Sequence, residues 1–136
     1  MGKLENKVAL VTGGSRGIGK GISRGLVEEG ANVIIVSRDS QALDQTASEL
    51  SSGKSTVLAK PADVADEGQI ENVFCETVER FGRLDILVNN AGAFDGGPLE
   101  DLSVEVWDRV MAVNLRGPFL CTRAAMRIMK PQGGGR

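Results

Sequence analysis

The most informative absences in this sequence are histidine and tyrosine, neither of which occurs among its 136 residues. Without histidine there is no imidazole general base, no Ser-His or Cys-His nucleophile and no His-bearing zinc site. Without tyrosine there is no phenol to act as an acid. The chain itself therefore excludes several common catalytic arrangements, and we expect no metal site.

The sequence also has few cysteines and little net charge. The two cysteines, Cys75 and Cys121, lie far apart, which predicts free thiols in a reducing compartment. Sixteen Lys and Arg against 18 Asp and Glu give a net charge of -2, without the basic excess of a nucleic-acid or membrane-surface binder. The first apolar run, residues 8–11, is too short for a signal peptide, and no run approaches a membrane span. We expect a cytoplasmic protein with small-molecule or protein partners, and neither nucleic acid nor membrane.

Short β-branched runs alternate with longer helical patterns, which is typical of a parallel sheet with crossover helices. The predicted strands cover residues 8–11, 33–37, 56–59 and 84–88, and the predicted helices cover residues 17–29, 41–50, 66–81 and 103–130. Gly30 and Gly82 are expected to end the first and third helices, and Gly117-Pro118 to kink the last. The predicted fold class is α/β, a Rossmann-like parallel sheet with flanking helices, in one incomplete domain over residues 1–136.

The end of the chain is unusual for such a fold. Residues 131–136 read as a Gly-rich loop, so the fourth strand is expected to lack a neighbour on one side, as if the fold were truncated after that strand and its following helix. Apolar residues recur near helical spacing in the last helix, which we interpret as core, with an interface in a homo-oligomer as the alternative. They are Val106, Val110, Val113, Leu120, Ala124 and Ile128.

The first strand runs into a glycine-rich segment, residues 12–19, in which the helical pattern begins. This strand-turn-helix context favours a dinucleotide-binding turn. Gly13 permits a tight turn, Gly19 lets helix and strand pack closely, and the helix N-terminus faces the phosphates. Because three residues separate Gly13 from Gly17, the spacing departs from the usual G-x-G-x-x-G, and a plain tight turn is the alternative.

The second strand ends in Ser37, Arg38 and Asp39, where folds of this kind meet the adenosine ribose. An acid at this point accepts from the 2′-OH of NAD, whereas an arginine pairs with the 2′-phosphate of NADP. Ser37 stands where an NAD enzyme would have its carboxylate, and Arg38 follows, with Arg16 expected near the same phosphate, so NADP is predicted over NAD. Asp39 lies about twenty residues beyond Gly19, however, so a shift of one residue would reverse the preference. Solvated charges are the remaining interpretation.

Four motifs, in order and approximate spacing, resemble the short-chain dehydrogenase/reductase family across the whole chain. They are the glycine-rich turn, Asp63-Val64, Asn89-Asn90-Ala91-Gly92, and Asn114 within Val113-Asn114-Leu115. The resemblance implies an NAD(P)-dependent oxidoreductase that acts on carbonyl or hydroxyl groups and has a single Rossmann-like domain.

The resemblance also implies roles for individual residues. The cofactor is expected to contact Gly13, Ser15, Arg16, Gly17, Ile18, Gly19, Arg38, Asp63, Val64, Asn90, Ala91 and Gly92. Arg38 is expected at the 2′-phosphate, Asp63 and Val64 beside the adenine, and Asn114 in a supporting catalytic role through a water. The alternatives are that Asp63 ends a strand or caps a helix, that residues 89–92 only open a loop, and that Asn114 faces solvent.

Family chemistry implies a Ser, a Tyr and a Lys four residues after the Tyr, and none of the three can be assigned in this chain. We therefore expect an N-terminal, cofactor-binding half of an NADP(H)-dependent short-chain oxidoreductase, inactive by itself, whose activity belongs to a longer parent. A catalytically inactive NADP(H)-binding or interaction module is the alternative, and a non-functional product is a third. The substrate and the reaction direction stay open.

Overall fold

The β-branched runs form one parallel sheet in the computed structural model, which describes residues 2–51 and 53–136. The strands are β1 Val8–Thr12, β2 Asn32–Ser37, β3 Val57–Pro61 and β4 Ile86–Val88. Their order is β3-β2-β1-β4, and each neighbouring pair is parallel. From β1 the chain adds β2 and then β3 on one side, and then returns to place β4 on the other side of β1. This change of direction opens a crevice at the carboxyl ends of β1 and β4.

Helices connect the strands and cover both faces of the sheet. They are α1 Gly17–Glu28, α2 Ser40–Leu50, α3 Glu67–Phe81, α4 Val104–Met111 and α5 Gly117–Met129, with a 3₁₀ turn at Leu99–Asp101. Gly30 and Gly82 follow α1 and α3 with positive φ angles of 92° and 73°, which confirms the predicted helix ends. Among the described residues, no helix combines the length and the apolar character needed to span a membrane.

The last helical stretch differs from the single kinked helix predicted over residues 103–130. A π-helical segment, Ala112–Arg116, separates α4 from α5, and the Gly117 N–H donates to the Ala112 carbonyl five residues back. Pro118 has no N–H to donate to the carbonyl of Asn114, so the regular ladder is interrupted at this point. A Cβ on Gly117 would lie 2.8 Å from Cγ2 of Val64, which shows how closely the segment packs against the loop after β3.

The core consists of two apolar layers, one on each face of the sheet, because successive strand residues point to opposite faces. Leu10 and Ile34 face α3 and α5, whereas Val11 and Ile35 face α1 and α2. Of the six residues interpreted as core in the last helix, Leu120 and Ala124 are buried, and Val113 and Ile128 are half-buried against the same layer. The other two, Val106 and Val110, are half-buried outside both core layers, so the core interpretation holds only for the second half of the stretch. Several large apolar side chains of this helical stretch are nevertheless exposed, namely Val104, Trp107, Leu115, Phe119 and Met126.

The outer edge of β4 is not left wholly unpaired, contrary to the prediction. The N–H of Leu87 donates to the carbonyl of Arg136 at 2.8 Å, and the N–H of Arg136 donates to the carbonyl of Asp85 at 2.9 Å. This is the hydrogen-bond pattern of a parallel strand pair centred on Ile86. β4 also starts two residues later than predicted, since its pairing with β1 begins at Ile86, opposite Ala9. The N–H and the carbonyl of Leu84 bond instead to the side-chain amide of Gln132.

Candidate functional site

A cleft of about 440 Å³ lies at the carboxyl edge of the sheet, where the loops after all four strands meet. Of the residues implied as cofactor contacts, the structure brings together Gly13, Ser15, Arg16, Arg38, Asp63, Val64, Asn90, Ala91 and Gly92. Gly17, Ile18 and Gly19 follow directly in the first turn of α1 without lining the cleft itself. Nine of the twelve residues that the family resemblance implied as cofactor contacts therefore line one cleft.

The glycine-rich turn has the geometry that its glycines predicted. Gly13 adopts a positive φ of 64°, and a Cβ on Gly19 would lie 2.0 Å from the Gly13 carbonyl oxygen. Only glycine permits such an approach between α1 and the turn, so close packing at Gly19 is confirmed. Gly17 also has a positive φ, 57°, but a Cβ there would meet no atom within 4 Å, so its backbone faces open space.

The N-terminus of α1 lacks the side-chain cap that three other helices have. Asp39, Asp66 and Ser103 each accept a hydrogen bond from a first-turn N–H of α2, α3 and α4. Arg16 occupies the corresponding position of α1 and, among the described residues, provides no such bond. In the described part of the chain no side chain caps the first N–H groups of α1, which leaves them to water or an anionic ligand, and the helix dipole adds a partial positive charge there.

The loop after β4 is fastened to β1 by Thr12, a residue to which the sequence assigned no role. Its Oγ1 accepts from the N–H groups of Asn90 and Ala91, both at 3.0 Å, and the Asn90 side-chain amide donates to the carbonyls of Thr12 and Gly13 at 3.1 and 3.2 Å. The Asn90 side chain therefore holds the two loops together, and this segment is more than the opening of a loop. Thr12 is the first residue of the glycine-rich motif, but the sequence analysis gave no role to its hydroxyl.

Ser37, Arg38 and Asp39, the three residues at the end of β2 whose roles were uncertain, have different surroundings in the structure. The buried Ser37 Oγ has no hydrogen-bond partner among the described residues. Arg38 lines the cleft and takes part in none of the ion pairs within residues 2–51 and 53–136. Asp39 is already engaged, because its carboxylate accepts from the Ala42 N–H at 3.0 Å and from Arg16 Nη2 at 2.8 Å. The Ala42 N–H and then the charge of Arg16 lower the pKa of Asp39 below its usual value, despite partial desolvation.

Asp63 and Val64 form the wall of the cleft after β3. Asp63 Oδ1 accepts from the N–H of Ala65 at 2.9 Å, which is a local turn. The helix cap considered for Asp63 is supplied by Asp66 instead, whose Oδ1 accepts from Gln69 N. Val64 is buried and places an apolar surface beside the cleft.

Asn114 lies on the π-helical segment and does not simply face solvent, although its side chain is exposed. Its Oδ1 accepts from the Ala93 N–H and its Nδ2 donates to the Ala93 carbonyl, each at 2.7 Å. Both ends of the amide are therefore used to hold the loop after β4. An ion pair between Asp95 and Arg109 fastens the same loop to α4.

The cleft thus offers unpaired backbone donors at one end, an arginine and a buried hydroxyl at the other, and an apolar wall between them. This arrangement suits an elongated anionic ligand with a flat apolar part. Within the described part of the chain, no cluster of three or more His, Cys, Asp or Glu is arranged to hold a metal ion.

Comparison with known proteins supports the motifs. The family model described as short chain dehydrogenase matches residues 7–136. The short chain dehydrogenase/reductase dpmpG of Macrophomina phaseolina is 40% identical over 136 residues, covering 96% of this chain and 78% of that protein. The 3-oxoacyl-[acyl-carrier-protein] reductase of Synechocystis sp. is 37% identical, covering 100% of this chain and 56% of that protein.

Solved structures agree with these sequence matches. A mutant short-chain dehydrogenase/reductase from Serratia marcescens superposes with a TM-score of 0.88 at 41% identity, covering 93% of this chain and 52% of that one. A short-chain type dehydrogenase/reductase from Mycobacterium marinum gives a TM-score of 0.92 at 35% identity, covering 97% and 54%. The chain therefore spans about half the length of three of these four proteins and 78% of the fourth, dpmpG.

Proposed function

The chain belongs to the short-chain dehydrogenase/reductase family of oxidoreductases, and from this premise we propose that its cleft binds NADP(H) as part of a longer parent protein, which transfers hydride to or from a small carbonyl or alcohol substrate. The observation that carries the choice of NADP is the end of β2. Arg38 is a cation without an ionic partner among the described residues, and Ser37 beside it has an unpartnered buried hydroxyl. Both suit a phosphate on the adenosine ribose.

The proposed placement of the nucleotide follows from the chemistry of each wall. The pyrophosphate lies against the uncapped first turn of α1, where Gly17 leaves the backbone accessible. The adenine lies beside Asp63 and Val64, and Asn90, Ala91 and Gly92 approach the rest of the cofactor. Ser15, Ile18 and the tightly packed Gly13 and Gly19 shape the turn.

The bound nicotinamide supplies the hydride, while the residues of this chain bind and orient the cofactor. Asn114 positions Ala93 by holding its backbone at two points, which supports the nicotinamide end of the cleft. The chain contains no tyrosine for proton transfer. We propose that the 136-residue polypeptide is an incomplete Rossmann-like domain that binds cofactor but gives no useful turnover, because loss of a proton-transfer group alone typically costs about 10² to 10⁴ in rate.

Titration of the chain with NADPH and NADH tests the proposal, with nicotinamide fluorescence as the readout. Arg38→Gln is expected to weaken NADPH binding about tenfold and leave NADH within about twofold, since a charge-assisted bond to phosphate is lost. Arg24→Gln, an exposed arginine of α1 outside the cleft, is the matched control. Equal affinity of the wild-type chain for the two nucleotides, unchanged in Arg38→Gln, would contradict the NADP assignment.

A second candidate function is a catalytically inactive NADP(H)-binding or interaction module. The exposed apolar side chains of Trp107, Leu115 and Phe119 favour an interaction role, which we propose to be self-association through the α4–α5 stretch. Sedimentation of the wild-type chain and of Phe119→Ser tests it, since an oligomer held by this face should dissociate in the variant. Free thiols at Cys75 and Cys121 suit the cytoplasmic location that we also propose.

A further inference from the structure

The loop after β4 contains the only aspartate of the sequence that a glycine follows, Asp95-Gly96. Both residues are exposed and lie outside the helices and strands. The Asp95 side chain is 49% exposed and pairs with Arg109 of α4. An aspartate side chain is long enough to bring its Cγ to the backbone nitrogen of the next residue, where the two atoms can close a succinimide ring. We therefore examined whether this position permits that reaction.

The attacking atom would be the backbone nitrogen of Gly96. Among residues 2–51 and 53–136, its N–H donates no hydrogen bond, and glycine has no Cβ to obstruct the approach of Cγ. Asp101 provides the contrast. It is also exposed, but Leu102 follows it, and the Leu102 N–H donates to the carbonyl of Leu99 at 3.2 Å. The nitrogen after Asp95 is thus accessible in a way that the nitrogen after Asp101 is not.

The reaction that this arrangement permits is an isomerisation of the main chain. The Gly96 nitrogen attacks Cγ of Asp95 in its carboxylic acid form, a bond forms between the two atoms, and a Cγ–O bond breaks. The hydroxyl group leaves with the N–H proton as water. Water then reopens the ring at Cγ, which restores aspartate, or at the main-chain carbonyl of Asp95, which leaves isoaspartate of unchanged mass. No oxidant, metal or nucleotide takes part.

We propose that Asp95 is a site of spontaneous isoaspartate formation and that its ion pair with Arg109 slows the reaction. Nη2 of Arg109 donates to Oδ2 of Asp95 and holds the carboxylate toward α4. A carboxylate held there is less free to turn its Cγ to the Gly96 nitrogen. Because so exposed an ion pair is weak, the restraint is partial.

Isomerisation would also detach this part of the loop from α4. In isoaspartate the carboxylate is bonded directly to Cα and the main chain is one carbon longer, so the carboxylate loses its reach to Arg109. Ala93, which lines the cleft, keeps its two hydrogen bonds to Asn114. The modification would therefore loosen the loop beside the cleft without removing its other attachment.

The test is ageing of the 136-residue chain at neutral pH. Enzymatic methylation of isoaspartyl carboxylates measures the product, and electron-transfer fragmentation of peptides locates it. Isoaspartate is expected to form at Asp95 at least about tenfold faster than at Asp101. Gly96→Ala should slow formation by about the same factor, since the methyl group hinders the attack. The variant should fold, because φ at Gly96 is not left-handed and a Cβ would lie 3.5 Å from Cζ of Phe94, an ordinary contact.

Arg109→Gln tests the restraint and should raise the rate at Asp95 about twofold to fivefold. Arg127→Gln is the matched control, because Arg127 pairs with Glu71 at another place on the same helical stretch, and its rate should equal that of the wild type. Formation at Asp95 no faster than at Asp101, or undiminished in Gly96→Ala, would overturn the site. An unchanged or lower rate in Arg109→Gln, or an equal rise in Arg127→Gln, would overturn the role of Arg109.

Discussion

The first two strand-to-helix junctions share a topology but differ in how they treat the start of the helix. After β2, Asp39 caps α2 with its own carboxylate. After β1, the glycine-rich turn leads into α1 with no side-chain cap among the described residues, and Gly17 faces open space. The second junction satisfies its own backbone donors, whereas the first leaves them to water or a ligand.

This difference shows that some residues of a junction stabilise the fold while others keep the backbone accessible to a ligand. The glycines at the first junction have two separate uses, since Gly19 permits close packing and Gly17 keeps the backbone accessible. A side chain at either position would harm the junction for a different reason. Substitutions can therefore separate the part of the turn that holds the fold from the part that would hold a nucleotide.

The largest expected effect is that of Gly19→Ala, because the new Cβ would lie 2.0 Å from the Gly13 carbonyl oxygen. Separating α1 from the turn should lower the free energy of unfolding by about 3 kcal/mol. Urea denaturation measures this. Gly21→Ala, in the same helix but with nothing within 4 Å, should instead raise stability by about 0.5–1 kcal/mol. Equal effects at the two positions would contradict the packing role of Gly19.

The next largest effect is on binding, in Gly17→Ala. The positive φ of 57° makes alanine cost about 1 kcal/mol in stability, and the new methyl group occupies the open space before α1. We expect NADPH affinity to fall at least about tenfold, by steric exclusion of the pyrophosphate. Gly82→Ala, with a φ of 73° and equally open surroundings at the end of α3, carries the same strain away from the cleft. If both variants bound NADPH like the wild type, the nucleotide would not lie against Gly17.

Much of the first junction was predictable from the sequence because its chemistry is local. The tight turn at Gly13 and the close approach at Gly19 follow from glycine within a strand-turn-helix pattern, and both are confirmed. The parallel sheet followed from the alternation of apolar patterns. The role of Asp39 could not be decided, because a cap, an ion pair and a ribose contact all suit an aspartate after a strand.

The remaining features depend on contacts between distant parts of the chain. Thr12 meets Asn90 across 78 residues, and Asn114 meets Ala93 across 21. No local pattern signals either pair. The pairing of Arg136 with β4 was missed for the same reason, since its sequence context, a run of glycines, predicts only a loop.

Removing a cap should affect stability without affecting binding, which sharpens the contrast between the junctions. Asp66→Ala deletes the acceptor for the Gln69 N–H at the start of α3 and should cost about 1 kcal/mol of unfolding free energy. NADPH affinity should not change, because Asp66 does not line the cleft. Asp66→Asn, which retains a capping oxygen, is the control in the same denaturation and binding measurements. A loss of nucleotide binding in Asp66→Ala would mean that the two functions are not separable.

The smallest expected effect is the acid titration of the Asp39 cap. The hydrogen bond from the Ala42 N–H and then the charge of Arg16 hold the pKa of Asp39 below 3.8, its ordinary value. The stabilisation of the folded state by the ionised carboxylate is therefore fully present above pH 3.8 and is lost as the pH falls through the folded-state pKa. Urea denaturation between about pH 5 and about pH 2.5 should show Asp39→Asn slightly less stable than the wild type at the upper end, with the difference vanishing at the lower end. The α1 junction, which has no carboxylate cap among the described residues, contributes no such acid limb, so a constant difference across the range would mean that the charge of Asp39 does not strengthen its cap.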